Sequence, residues 1–308
     1  MIQVKSLTKL YGTRKAIDSL TFHANRGEIV GFLGPNGAGK TTTMRILTGY
    51  MPASEGTATV AGFDVFEESI EVRRRVGYLP ETVPLYDDMA VWQFLDFMAE
   101  LRRVPNRQER VEEVMEMVHM HDRADTLIGN ISKGMRQRVG LAQAILHEPE
   151  VLILDEPTIG LDPEQVRDVR TLIRDIGKDR TVMLSTHILS EAQAICNRVM
   201  IINQGRIVAT DTPQKLQERL AAGEQVRVRI GGATDSAART MAKAEGVLEV
   251  REIGEGAYEV DLASEAARAE LARAIVQSKL DLLEMRALDM SLEDIYLRLV
   301  QEPSAGSN

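Results

Sequence analysis

The sequence predicts an α/β domain with a largely parallel sheet over about residues 1–218, followed by a small α+β domain over 226–300. Three observations lead there. Up to about residue 218, short apolar runs of strand length alternate with segments of helical periodicity. At RLAAGEQ, residues 219–225, that rhythm breaks and a linker is expected. Beyond it the pattern reads β-α-β-β-α-β, a different architecture from the alternation before it. The length agrees, since 308 residues at roughly 150 per domain give about two domains.

Composition narrows the class. Hydrophobic residues at 44% and charged residues at 27% describe a soluble globular chain and exclude disorder or a fibrous repeat as a global reading. Lys plus Arg (37) against Asp plus Glu (46) leave a net charge of -9, so coating nucleic acid by bulk attraction to phosphate is not expected. The single cysteine, Cys196, has no internal partner, which fits a reducing compartment and a small packing residue. A membrane span needs roughly 20 consecutive apolar residues, and runs such as Val151 to Leu154 or Val199 to Ile202 are far shorter. The opening MIQVKSLTKLYG alternates like a strand and lacks the apolar stretch of a secretory signal.

In chain order, Glu28 to Leu33 reads as a strand that leads into a glycine-rich turn and the helical pattern TTTMRILTG. From about Pro84 to Leu127, in VWQFLDFMAELRR and VEEVMEMVHM, apolar residues recur at helical spacing, and RQRVGLAQAIL continues the pattern. The whole is an inserted helical subdomain over about 84–147. Glu150 to Leu154 is a strand ending in an acidic pair, and Arg180 to Ser185 a strand ending in Thr186 and His187. Ligands in such sheets sit beyond the carboxyl ends of the strands, so these three strand ends are expected to converge. In the second unit VRVRI is a strand, a helix follows through about Ala244, and LEVREIGEGAYEVDL is a hairpin around Gly254 and Gly256. SEAARAELARAIVQSKL is a helix, LLEMRAL a strand and SLEDIYLRLV a closing helix, the order of ferredoxin-like domains. Residues 301–308 read as a disordered tail.

The chemistry begins at Gly34-Pro35-Asn36-Gly37-Ala38-Gly39-Lys40-Thr41, which fits G-x-x-x-x-G-K-[ST] between a strand and a helix. Glycines let the backbone wrap a polyphosphate so that successive N–H groups and the helix N-terminus face it. Lys40 reaches the β and γ phosphates, and the Thr41 hydroxyl, with Thr42 beside it, is placed for Mg²⁺. Asp155 and Glu156 follow a buried strand, where Asp155 can hold the metal and Glu156 can orient or deprotonate a water. Alone, such a pair also fits a helix cap with a solvated neighbour. Ser132 and Gly134 open the helical run RQRVGLAQAIL, gathering a hydroxyl, N–H groups and a helix dipole into an anion site, or else simply capping a helix.

GPNGAGKTT, ISKGMRQRVGLAQAI, VLILDEPTIGLDP and LSTH, in this order, resemble the nucleotide-binding subunit of ATP-binding-cassette (ABC) transporters. The resemblance covers about residues 1–218, and its most specific element is Ser132-Lys133-Gly134-Met135-Arg136-Gln137. It implies a P-loop ATPase fold, ATP and Mg²⁺ as ligands, and hydrolysis coupled to transport. It implies that Ser132 and Gly134 close over ATP held by a second copy in a head-to-tail homodimer, with separate transmembrane permease subunits as partners. The location that follows is cytoplasmic, peripheral on the inner face of the plasma (inner) membrane. His187 matches the switch histidine that bonds the γ phosphate, and Asp162 the loop through which two cassettes communicate. Tyr11 falls where an aromatic meets adenine, though it also reads as an edge-strand tyrosine.

Glu81 departs from the family, which usually has Gln there; an ionised carboxylate accepts but cannot donate. The GYLPE variant resembles the ABC-2-type exporters and gliding-motility-type ATPases, and Glu81 as a plain surface residue stays open. The resemblance also implies that Pro84 to Arg103 grips a permease helix, with Trp92 and Phe94 as candidate contacts or core residues. His23, His119, His121 and His147 lack metal-ligand spacing, HMH lying on a helical stretch that faces two directions. The rival class is a soluble ABC ATPase acting on nucleic acid or ribosomes, whose long coiled-coil insertions or paired cassettes are not visible.

Overall fold

The computed structural model describes residues 1–220, 224–231, 237–254 and 256–288. Contacts divide the chain into Met1–Pro213 and Gln214–Asn308. In the first unit β1 (Ile2–Tyr11) and β2 (Arg14–Ala24) form a hairpin, and β3 (Ile29–Leu33) runs into the glycine loop and α1 (Lys40–Leu47). β4 (Glu55–Val60) and the short β5 (Phe63–Asp64) precede α2 (Ser69–Arg75) and β6 (Val76–Leu79). Three helices follow, α3 (Val91–Leu101), α4 (Arg107–Met117) and α5 (Lys133–Ile145). The chain then alternates through β7 (Val151–Asp155), α6 (Pro163–Ile176), β8 (Thr181–Thr186), α7 (Leu189–Ile195), β9 (Arg198–Asn203) and β10 (Arg206–Asp211). α8 (Pro213–Leu220) starts at the boundary and, from Gln214 on, belongs to the second unit.

The central sheet has the order β10-β9-β3-β8-β7-β6, parallel except for the β9–β10 pair. Every residue of β3, β7 and β8 is buried, as expected of parallel strands covered on both faces. A second sheet, antiparallel with order β2-β1-β4-β5, was not foreseen. The alternation in β1, with Ile2 and Val4 buried and Gln3 and Lys5 exposed, marks a strand covered on one face. Its partner β4 lies far along the chain, so local pattern could not name it. Met44, Ile46 and Leu47 of α1 share one buried core with Phe32 and Ile153 of the central sheet and Ile2 and Val60 of the other.

Helix α5 rides unusually close on β6. A Cβ added at Gly77 would run into the Ala144 carbonyl oxygen, and one at Gly140 would come within 2.6 Å of Leu79 Cδ1. This close approach fixes the second half of α5 relative to the sheet. Phe94, expected among possible partner contacts, is 1% exposed, with the Tyr86 ring edge-on at 6.0 Å; Phe94 is a core residue, and Trp92 is partly buried. His119 and His121 do not share a helix, because α4 ends at Met117 and His121 opens a separate 3-10 turn. Among the described residues no cluster of three or more His, Cys, Asp or Glu side chains could hold a metal, and no helix is long and apolar enough to cross a membrane.

The second unit contains β11 (Glu224–Gly231), α9 (Ala237–Met241), β12 (Val247–Gly254), β13 (Ala257–Leu262), α10 (Glu265–Gln277) and β14 (Asp281–Leu288). Sheet order is β12-β13-β11-β14, with every neighbouring pair antiparallel. Val226, Val228, Tyr258 and Val260 pack against Leu271 and Ile275 of α10. The first helix ends at Met241 rather than Ala244, where the chain leaves through tight turns toward Gly246 at φ 82°. The closing helix over SLEDIYLRLV and the tail at 301–308 lie outside the described residues.

His147, just beyond α5, places Nε2 3.1 Å from the Val76 carbonyl oxygen at the start of β6. A carbonyl only accepts, so Nε2 carries the proton. Burial, reinforced by repulsion from Arg102 and Arg110, pushes the imidazole pKa from 6.5 down to about 4. The unfolded chain therefore binds a proton here that the folded chain refuses, and the resulting penalty grows as pH falls from 6.5 to about 4. A His147→Gln variant is expected to lose less melting temperature than the wild type across that window; parallel melting curves against pH would refute it.

Candidate functional site

The loop from Gly34 to Gly39 is bent by its glycines. Gly37 and Gly39 have φ of 80° and 110°, a region side chains disfavour. A Cβ at Gly39 would lie 2.6 Å from the Ala16 carbonyl oxygen. The Gly34 N–H donates to the Thr186 carbonyl oxygen at 3.3 Å, tying the loop to the end of β8. α1 starts at Lys40, so the unbonded N–H groups of its first turn belong to the loop and to Lys40, Thr41 and Thr42. Lys40 is buried and folds back over the loop, donating to the Gly34 carbonyl oxygen at 2.7 Å and that of Pro35 at 3.2 Å.

The second half of the site hangs from β7 and β8. Ser185 donates its hydroxyl to Asp155 Oδ1 at 2.5 Å and accepts the Glu156 N–H at 2.9 Å. That relay holds Glu156 at φ 49°, a left-handed conformation rare for a residue with a Cβ. The Glu156 carboxylate, 5% exposed, lies between two cations or cation-forming groups: Oε1 is 3.2 Å from Lys40 Nζ and Oε2 is 2.9 Å from His187 Nδ1. Asp155 is fully buried, and desolvation pushes its carboxyl pKa up against the opposing pull of the Ser185 hydrogen bond and the neighbouring Thr41 hydroxyl. Its Oδ2 is buried with no hydrogen-bond partner. An orphaned carboxylate oxygen beside a threonine hydroxyl is a hard oxygen donor set, and Thr41 with Asp155 therefore fits a divalent cation such as Mg²⁺.

A cavity of about 420 Å³ opens over these groups, with Tyr11, Arg14, Lys40, Thr41, Glu81 and Glu156 on its wall. Asn36, Gly37, Gly39 and Thr42 contribute as well, while Pro35 and Ala38 support the loop through the Ala38 N–H, which donates to the Pro35 carbonyl oxygen at 3.2 Å. Tyr11, half-exposed at the end of β1, donates its hydroxyl to Met51 Sδ at 3.3 Å. Glu81 is exposed on the same wall. The other expected residues stand apart from this cavity. Ser132 is the N-cap of α5, accepting the Met135 N–H at 3.3 Å. Gly134 is buried against the side chain of Gln165, and Asp162 N-caps α6 by accepting from Glu164 and Gln165 N–H at 3.1 and 2.9 Å.

Two members of the site were not assigned from sequence. Ser185 was visible only as one letter in LSTH, and a serine inside an apolar strand gives no signal of its relay. Arg14 on the cavity wall follows a turn between two strands, where a basic residue reads as solvated.

A loop of N–H donors, a returning lysine and metal-type carboxylate together fit a nucleoside triphosphate, and the strand order around them is that of a P-loop NTPase. Residues 17–159 match the ABC transporter family. The chain is 39% identical to the bacitracin transport ATP-binding protein BcrA of Bacillus licheniformis, over 68% of each chain. It is 33% identical to the daunorubicin resistance ATP-binding protein DrrA2 of Streptomyces coeruleorubidus, over 97% of this chain and 94% of that one. Among solved structures, an ATP binding subunit of an ABC transporter matches with a TM-score of 0.65 and 29% identity, covering 72% of this chain and 93% of the other. The chain belongs to the ATP-binding proteins of ABC transporters, and it is an ATP-binding and hydrolysing subunit.

Replacing Gly39 with Ala forces a Cβ into the Ala16 carbonyl at a strained φ, at a cost of about 1–3 kcal/mol. The expected outcome is a lower melting temperature and ATP affinity reduced at least roughly tenfold, a factor equal to about 1.4 kcal/mol, by titration with a fluorescent ATP analogue.

Proposed function

We propose that this chain powers an exporter: two copies pair head to tail around Mg-ATP beneath a separate membrane-spanning permease, peripheral to the cytoplasmic face of the inner membrane. The reading rests first on the position of the Ser132–Gly134 corner, which lines no part of the cavity over this chain's own phosphate loop. An N-terminal helix corner with an exposed serine is suited to an anion brought by another molecule. Export is supported by the relatives' names, one a bacitracin transport protein and one a daunorubicin resistance protein.

In this reading the loop N–H groups and Lys40 cradle the triphosphate. Thr41 and Asp155 hold Mg²⁺, which supplies charge neutralisation on the phosphate oxygens. Water attacks the γ phosphorus in line, its proton passes to Glu156, and the bond to the β–γ bridging oxygen breaks with the electron pair leaving on ADP. His187 contacts Glu156 through Nδ1, which leaves its other ring nitrogen to take up the γ phosphate. Glu81 accepts from water on the cavity wall, Tyr11 stacks on adenine, and Asp162 carries the loop that meets the second copy. A soluble relative acting on nucleic acid or ribosomes fits less well, given a net charge of -9 and transporter subunits as the relatives above.

Glu156→Gln is expected to lower turnover by roughly 10²-fold or more and to accumulate an ATP-bound dimer on size-exclusion chromatography; normal turnover in this variant overturns the base assignment. The described residues that line the cavity fall between Tyr11 and Ile159, so a chain ending near residue 225 should keep its ATP affinity. Loss of nucleotide binding in that truncation, measured by calorimetry, would contradict the division of labour.

A further inference from the structure

Behind the catalytic loops lies a buried carboxylate that the chemistry above leaves unused. Glu191, in the first turn of α7, is 3% exposed. Its Oε2 accepts hydrogen bonds from Thr158 Oγ1 at 2.6 Å and Thr186 Oγ1 at 2.9 Å. Its Oε1 faces Arg170 of α6 at 3.5 Å. Both threonines are buried. Thr158 stands just beyond Glu156 on the loop leaving β7, and Thr186 directly precedes His187 at the end of β8. One oxygen atom thus fastens the two backbone segments whose side chains, Glu156 and His187, meet at 2.9 Å. None of the three lines the cavity.

We propose that Glu191 is a positioning residue of the hydrolytic site, setting the Glu156–His187 geometry through the hydroxyls of Thr158 and Thr186. The chemistry suits the task. Both hydroxyls must donate to the same acceptor, which a carboxylate oxygen does without competing donors of its own. Glutamine would also accept, but its NH₂ would then confront the Arg170 guanidinium. Glu156 holds a left-handed backbone conformation, so the loop needs tethers on both sides of it, Ser185 before and Thr158 after. The inference rests on Glu156 and His187 being the catalytic pair.

The test compares kcat and ATP affinity in the full-length chain for Thr158→Val, Thr186→Val, Glu191→Gln and the serine replacements at both threonines. Expected are kcat losses of roughly tenfold or more for each valine variant, in line with the penalty for a small misplacement, at unchanged ATP affinity. Serine should restore turnover, and combining Thr158→Val with Glu191→Gln should add little, since groups acting as a unit are not additive. The shape-conserving valine variants carry the test even if Glu191→Gln folds poorly. Wild-type kcat in both valine variants, or losses in which ATP affinity and melting temperature fall together with kcat, would overturn the proposal. An inert wild type or a fully active Glu156→Gln would instead sink the catalytic reading beneath it.

Discussion

Two parallel strands side by side, β7 and β8, are joined at their ends by a hydroxyl that bonds in both directions. Ser185 gives its proton to Asp155 and takes one from the Glu156 backbone, and the rest of the site is hung from that relay. Remove the register Asp155↔Ser185 and Glu156 has no reason to occupy a left-handed conformation. Its carboxylate would then leave the gap between Lys40 and His187. The constraint reaches further, because β8 also fixes the phosphate loop through the bond between Gly34 N–H and the Thr186 carbonyl. Loop, metal-type carboxylate and the Glu156–His187 contact are all referenced to one strand edge.

Electrostatics explain why such a site is poised rather than self-satisfied. Asp155 and Glu156 are both buried, and among the described residues Lys40 is the one lysine or arginine ion-paired with Glu156. Taking two carboxylates out of water for one ammonium is unfavourable, which is visible in the upward shift of the Asp155 pKa. Lys40 donates to two loop carbonyls and is only ion-paired with Glu156, whose Oε1 is buried without a hydrogen-bond partner. A polyanion bound with a cation would take over these contacts and relieve the unpaired Asp155 oxygen, so ligand affinity draws on imbalance already built into the fold.

Features that lie on contiguous residues were legible in the sequence. The run Gly34 to Thr41 declares both its bend and its ligand class, and the apolar stretch ending in Asp155 declares a buried strand with acids at its tip. The parallel strands were found because total burial leaves an unbroken apolar run. What escaped detection depends on pairing across the chain. Strand β4 was not matched to β1, Ser185 gave no sign that its hydroxyl bridges two acids, and Phe94 could be told from a surface contact only once Tyr86 and the helices closed over it. Glu191 escaped for the same reason, since its partners Thr158 and Thr186 come from two different strand ends.

The segment from Glu156 to Asp162 joins two places with different tasks. It begins at the carboxylate in the cavity and ends as the N-cap of α6, where Gln165 packs its side chain on Gly134. On the way, Gly160 at φ 68° gives room to the side chain of Lys133, the neighbour of Ser132. A shift of Glu156 can therefore reach the start of α5 through packed atoms without unfolding anything, and a shift of Ser132 can travel back by the same contacts. Since Gly140 and Gly77 already hold α5 hard against β6, that helix cannot absorb the motion by bending away from the sheet.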